Sequence, residues 1–248
     1  MRGALSLIFL VACRFFPGAA PGFGAADAPR DTNDAVLVAP DAASTLDALP
    51  TCGGKVWLAD FSSDPTLLDL NGDGVPDWAM RDGSLFPVSQ LTDGIWSVPA
   101  GSQPLDSQPK QTFTTRTLVH GRMRGKTVNS VNGAQFWINV DYDGSGMFAP
   151  LFVEAILQAD NTQTLTVWTK MPPSTELQLT QVTGLTTDFL DFDLDINPAT
   201  PSVQFTGGGV STDLTLMRLA STATDQWATV TASSQAADFD YLRVEVCP

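Results

Sequence analysis

Apolar residues recur at every second position over most of the chain between Cys52 and Cys247, and that spacing admits strands rather than helices. Ala134, Phe136, Ile138, Val140 and Tyr142 alternate with Gln135, Trp137, Asn139 and Asp141. Leu151, Val153, Ala155 and Leu157 alternate with Phe152, Glu154, Ile156 and Gln158, and Leu165 and Val167 with Thr164, Thr166 and Trp168. Leu190, Phe192, Leu194 and Ile196 alternate with Asp191, Asp193 and Asp195, and a final run sets Leu242, Val244 and Val246 against Tyr241, Arg243 and Glu245. Successive side chains on a strand point to opposite faces, so each run has one apolar face to bury. Further strand-like runs lie at 55–61, 77–82, 94–98, 113–124, 177–182, 202–206, 214–220 and 226–232. Asp93-Gly94, Asn132-Gly133, Asp143-Gly144 and Gly207-Gly208-Gly209 mark turns between runs. No window carries a capped helical pattern. About thirteen short strands predict an all-β domain: two antiparallel sheets stacked as a jelly-roll sandwich.

Ahead of this body stand an address and a spacer. Arg2 precedes the apolar run Ala4 to Ala12, too short to span a bilayer but fitting an export segment. Two processing readings compete. Leu10-Val11-Ala12-Cys13 has the form of a bacterial lipobox, with Cys13 lipidated as the mature N-terminus; alternatively a signal peptidase cuts after Ala26, with Gly24 and Ala26 at the small-residue positions. From Pro17 to Pro50 the chain is rich in Ala, Pro, Gly and Asp, and such a segment buries too little surface to offset its ordering entropy. The expected organisation is residues 1–26 as signal, 27–51 as a disordered tether and 52–248 as the sandwich.

Export fixes the reading of the cysteines. With Cys13 spent on processing or lipid, Cys52 and Cys247 remain as an even pair in an oxidising compartment and are expected to form a disulfide across the whole body. No CxxC pair or histidine cluster offers a thiolate metal site, and His120 is the single histidine.

Charge narrows the partners. The 27 acidic against 13 basic side chains give a formal charge of −14, the wrong sign for phosphate backbones, so nucleic acid is excluded as a partner and a membrane is reached only through a lipid on Cys13. Arg116, Arg122, Arg124 and Lys126 form the one basic stripe, expected to pair with the protein's own aspartates.

The runs from Gly133 to Tyr142, Ala149 to Ala159 and Gln163 to Thr169, closed by Phe239 to Val246, resemble consecutive strands of concanavalin A-like or laminin G-like jelly rolls. That resemblance covers roughly Cys52 to Cys247. It implies a scaffold that binds carbohydrate or protein, with enzymes a minority bearing recognisable acid motifs.

Asp69-Leu70-Asn71-Gly72-Asp73-Gly74-Val75-Pro76-Asp77 is the sharpest motif. Oxygen-bearing side chains at alternate positions can converge on one cation: Asp69, Asn71 and Asp73 directly, Val75 through its carbonyl, Asp77 directly or through water, with Gly74 at the sharp turn. Hard oxygens select Ca²⁺ over zinc or copper. The pattern resembles calcium loops of dockerins and thrombospondin type 3 repeats. It departs from an EF-hand, since Met80 stands where the bidentate glutamate belongs and strand-like sequence flanks it. Asp141, Asp143 and Ser145 form a poorer second candidate.

Catalytic signals are thin. Laminarinase-type jelly-roll glucanases carry Glu-x-Asp-x-x-Glu on one strand, which this chain lacks; its glutamates are Glu154, Glu176 and Glu245. Glu154 is the one to suspect, since it shares a strand face with Phe152 and Ile156. His120 lies among arginines with no acid beside it in sequence, and a base needs an orienting partner. For sugar binding an aromatic face with nearby amides is required. Trp137 and Trp168 should project from one sheet face, and Trp137 with Gln135 and Asn139 makes the best platform. The reading is an exported, calcium-stabilised, non-catalytic binding domain for extracellular glycan or a cell-surface partner. Its rivals are a glycoside hydrolase or polysaccharide lyase on the same scaffold, and a structural lipoprotein of the cell envelope.

Overall fold

One apolar face per strand is satisfied when two sheets close on each other, and this is what the chain does. The computed structural model describes residues 50–109, 115–128, 133–141, 148–171, 175–200, 202–215 and 225–248. The expected signal and all but residues 50 and 51 of the expected tether, together with Cys13, Asp143 and Ser145, lie outside the described residues.

The strands are β1 (Lys55–Ala59), β2 (Trp78–Met80), β3 (Leu91–Thr92), β4 (Ile95–Val98), β5 (Leu105–Ser107), β6 (Thr117–Gly125), β7 (Ala134–Asp141), β8 (Phe148–Leu157), β9 (Gln163–Met171), β10 (Thr175–Leu185), β11 (Leu190–Asn197), β12 (Ser202–Gly207), β13 (Val210–Thr215), β14 (Asp225–Ala232) and β15 (Ala237–Val246). Only two single 3-10 turns, Pro65–Leu67 and Val88–Gln90, interrupt the strands among the described residues. An eight-stranded sheet runs β13-β12-β11-β6-β15-β4-β3, with β1 also paired to β15; a seven-stranded sheet runs β10-β9-β8-β7-β14-β5-β2. The pairings are antiparallel. Two strands exceed the sequence expectation, because β3 and β5 are too short to display alternation. β13 starts at Val210, earlier than expected, because its polar, largely exposed first half gives no hydrophobic signal.

The core lies between the sheets. Trp57, Trp78 and Trp96 are at most 1% exposed. Trp96 gathers Phe86, Phe61 and Phe239 at ring-centroid distances of 5.2, 5.5 and 5.8 Å. Gly121 is required in β6: a Cβ there would lie 2.4 Å from the Phe192 ring.

β15 is the spine of the larger sheet. β6 runs along one edge; along the other, Ala237–Phe239 pairs with β4 and Leu242–Val246 with β1. The β1–β15 ladder ends next to Cys52 and Cys247, which are disulfide-bonded with Cα atoms 5.4 Å apart. Glu245, 1% exposed, accepts the backbone N–H groups of Cys52 and Gly54 at 3.0 Å each.

The outer face of this sheet neutralises itself. Arg116 donates Nε to Asp195 at 2.7 Å, Arg122 lies 3.6 Å from Asp191 and 3.0 Å from Asp240, and Arg124 and Lys126 converge on Asp238 at 2.8 and 3.2 Å. The basic stripe thus pairs with the protein's own aspartates. The expectation that His120 has no acid beside it is corrected: its Nδ1 lies 2.6 Å from Asp193, which the β6–β11 register sets directly opposite. Cross-strand neighbours, not sequence neighbours, decide such pairs.

Candidate functional site

The outer face of the seven-stranded sheet collects the polar half of the alternation. Register places Trp137, Phe152 and Trp168 in one row across β7, β8 and β9, and Gln135, Glu154 and Thr166 in the next. β14 sets Thr229 opposite Trp137 and Thr231 opposite Gln135. The expectation that both tryptophans share a face holds, since each is one step from its inward neighbours, Phe136 and Ile138 for Trp137 and Val167 for Trp168, and Phe152 pairs with both.

The aromatic row is continuous. Phe152 lies 5.8 Å from Trp137, tilted by 42°, and 5.9 Å from Trp168, nearly parallel at 13°. Both indoles are half-buried, whereas Phe152 between them is 5% exposed. Such pairs add about 0.5–1.5 kcal/mol beyond area burial and fix ring orientation.

Beneath the row the polar atoms are committed. Glu154 is 3% exposed. Its Oε1 accepts from Gln135 Nε2 at 2.7 Å and from Gly133 N at 3.0 Å, and its Oε2 accepts from Trp168 Nε1 at 3.2 Å. Gln135 Oε1 in turn accepts from Trp137 Nε1 at 3.1 Å. Burial pushes the Glu154 carboxyl above the usual glutamate range; Gln135, Gly133 and Trp168 pull it back in part, and the charge of Glu176 adds to the rise. The close approach of Gly133 is what lets its N–H reach: a Cβ there would sit 1.9 Å from the Ala155 carbonyl oxygen.

Beside Trp137 opens a cleft of about 210 Å³, whose lining includes Arg81, Ser102, Gln135, Trp137, Thr229 and Thr231. Arg81 grips Asp106 and also donates to Thr229 Oγ1 at 3.0 Å. Of the three residues expected to bind ligand, Gln135 and Trp137 line this cleft. Asn139 is fully buried and outside its lining, with Nδ2 donating to Thr229 Oγ1 and Oδ1 unpartnered among the described residues. Sequence reasoning missed Arg81, Thr229 and Thr231. The threonines carried a signal, since they alternate with the core residues Ala228 and Val230; Arg81 carried none.

A second feature sits ahead of β2. In the Asp69–Asp77 loop Asp69 Oδ1 accepts from Gly72 N and Asp73 N at 2.8 and 3.1 Å, and its Oδ2 from Gly74 N at 2.9 Å. Asn71 Oδ1 accepts from Asp73 N, and Asp73 Oδ1 from Val75 N. Gly72 and Gly74 supply the left-handed conformations, at φ 73° and 85°. Asp77 is fully buried, accepting from Leu70 N and Asn71 Nδ2 at 2.8 and 2.6 Å. Its carboxyl is pushed up by burial, partly offset by the backbone of Leu70 and Asn71, and pushed further by the charges of Asp69 and Asp73. The loop holds Asp69, Asn71 and Asp73 through its own N–H groups, and their hard oxygens are of the kind that suits a divalent cation. Among the described residues, however, no three His, Cys, Asp or Glu side chains stand grouped as ligands.

No protein-family model matches the sequence, and no curated protein matches it. Solved structures do match. The carbohydrate recognition domain of Emp46p in its potassium-bound form superposes with a TM-score of 0.51 at 9% identity, covering 77% of this chain and 97% of that one. Its metal-free form gives 0.50 at 11%, covering 76% and 98%. A Bacillus licheniformis beta-glucanase gives 0.49 at 13%, covering 78% and 99%. The fold is a concanavalin A-like jelly roll. At these identities the likeness extends to the fold alone, so function rests on the residues of the site.

Proposed function

We propose that this domain binds extracellular carbohydrate on the outer face of the seven-stranded sheet, without chemistry. The observation that carries the reading is the Trp137–Phe152–Trp168 row beside a cleft rimmed by hydroxyl, amide and guanidinium groups. Both indole N–H groups turn inward to Glu154 and Gln135, so the tryptophans offer π-surface to solvent. Such surface suits the C–H face of a pyranose, while Arg81 and Ser102 on the cleft lining suit its hydroxyls. Asp69, Asn71, Asp73 and the Val75 carbonyl would hold Ca²⁺, with Asp77 supporting the loop from below. The ion's chemistry there is charge neutralisation of the loop. Export, release or lipid anchoring at Cys13, and residence outside the cell or in its envelope complete the reading.

Glycan-array binding with and without chelator tests it. Trp137→Ala should weaken the best binder at least tenfold, about 1.4 kcal/mol. A blank array for the intact protein would sink the reading and favour the structural envelope role.

One observation favours a hydrolase or lyase instead: Glu154 is a buried carboxyl held above its usual range on a cleft-bearing face. Against it, three donors already occupy its two oxygens. Asp106 stands three strand spacings away, about 14 Å, beyond the 5–9.5 Å separating glycosidase carboxyl pairs. Release of reducing ends from a polysaccharide panel, lost in Glu154→Gln, would establish the enzyme.

A further inference from the structure

We propose that Glu154, as a carboxylate, is the positioning residue of the aromatic platform, fixing Trp168 directly and Trp137 through Gln135. The inference rests on the carbohydrate reading only for what the platform is for; the coupling itself is a property of the chain.

The geometry is a relay across three strands. Glu154 sits on β8 between Gln135 of β7 and Thr166 of β9, one row from the rings. Trp168 reaches it from β9 and Gln135 from β7, and Gln135 passes the constraint to Trp137. An ionised carboxylate is an acceptor at every lone pair, and here it meets three donors. Charge-assisted bonds are shorter and roughly twice as strong as neutral ones, so the ionised group holds the indoles more firmly than an amide would.

Protonation weakens the match. A proton takes the one lone-pair site that the three donors leave open and removes the charge, so the bonds from Gln135 and Trp168 lose their charge assistance. The backbone N–H of Gly133 is held where the chain enters β7, so the loosening falls on the Trp168 and Gln135 side chains. Among the described charged groups, exposed Glu176 on β10 is the one whose charge reaches Glu154, and it favours the protonated form. The facing groups on β7 and β9 — Gln135, Thr166 and Trp168 — do not titrate in this range. The platform is therefore ordered at neutral pH and loosens on acidification, earlier than an ordinary glutamate near 4.3 would allow.

The test needs no ligand. Tryptophan-selective ¹⁵N labelling of the full chain resolves the indole N–H signals, with Trp137→Phe and Trp168→Phe giving the assignments. Between pH 7 and 4 the Trp137 and Trp168 signals should move together through one single-proton transition with its midpoint above about 4.3. Glu154→Gln should abolish that shared transition. Separate midpoints, static signals, or an unchanged transition in Glu154→Gln would overturn the proposal. Should Glu154→Gln fail to fold, the titration of the unaltered protein decides alone. A blank glycan array would remove the carbohydrate reading and leave this result intact, so the two failures are distinguishable.

Discussion

Arg81 clasps Asp106 with two parallel hydrogen bonds, Nε to Oδ2 at 2.9 Å and Nη2 to Oδ1 at 2.8 Å, and the carboxylate it holds is only 2% exposed. The pair joins β5 to the residue that follows β2, at the rim of the cleft. Removing the guanidinium would strand a buried charge. Because 30% of the Arg81 side chain is exposed and water can partly replace it, Arg81→Ala should cost about 2 kcal/mol, below the range for a fully buried pair. Arg81→Lys should recover little, since an ammonium cannot make the fork. Chemical denaturation midpoints at unchanged slope measure both.

The Cys52–Cys247 bond closes a loop of 195 residues in sequence. Replacing both cysteines by alanine should lower stability by about 3 kcal/mol, within the usual range for native disulfides. Denaturant titration of oxidised protein against the double variant gives the number. Equal midpoints would mean that the β1–β15 ladder alone secures the termini of the domain.

Asp238 is 1% exposed, and burial alone would raise its carboxyl; Ser97, Arg124 and Lys126 together outweigh that and hold it below the usual carboxylate range. A depressed folded value means that its contribution is fully present above the unfolded value near 3.9 and is lost as pH falls through the folded one. Stability should therefore drop on the acid side, and Asp238→Asn should flatten that part of the profile while lowering stability at neutral pH. Thermal unfolding scanned from pH 7 to 2.5 distinguishes the two proteins.

Calcium should raise the melting temperature by mass action, and a chelator should reverse it. Asp69→Asn keeps Oδ1 for Gly72 and Asp73 but loses the bond from Gly74 and the charge, so it should abolish the calcium heat in calorimetry at a modest cost to the calcium-free protein. Equal heats in both proteins would dispose of the ion site.

The sandwich was legible because period two survives in β7, β8, β9 and β11, and the disulfide because Cys52 and Cys247 remain as a pair once Cys13 is set aside as part of the expected leader. The shared face of Trp137 and Trp168 followed from the same parity. What could not be read was adjacency. His120 and Asp193 are 73 positions apart, and Arg81 and Asp106 25, yet each pair is in contact. β14 enters between β7 and β5, bringing Thr229 to Trp137 across 92 positions of intervening sequence that give no sign of it. The burial of Glu154 was legible in part, from Phe152 and Ile156 on its strand face, but its partners were not. Alternation says which face a side chain takes, but its neighbours on that face, here Gln135 and two indoles, decide whether water reaches it.

The placement of β15 also sets a timetable. Synthesis delivers this strand after the other fourteen, yet β6, β4 and β1 all pair with it. Until Ala237–Val246 emerges, β1 and the β3–β4 pair have no edge to join, and the β6–β11–β12–β13 half of their sheet stays separate from them. Closure of the eight-stranded sheet therefore comes last. A chain crossing a membrane from its leading end would reach the far side still pliable, with its fastening strand arriving last.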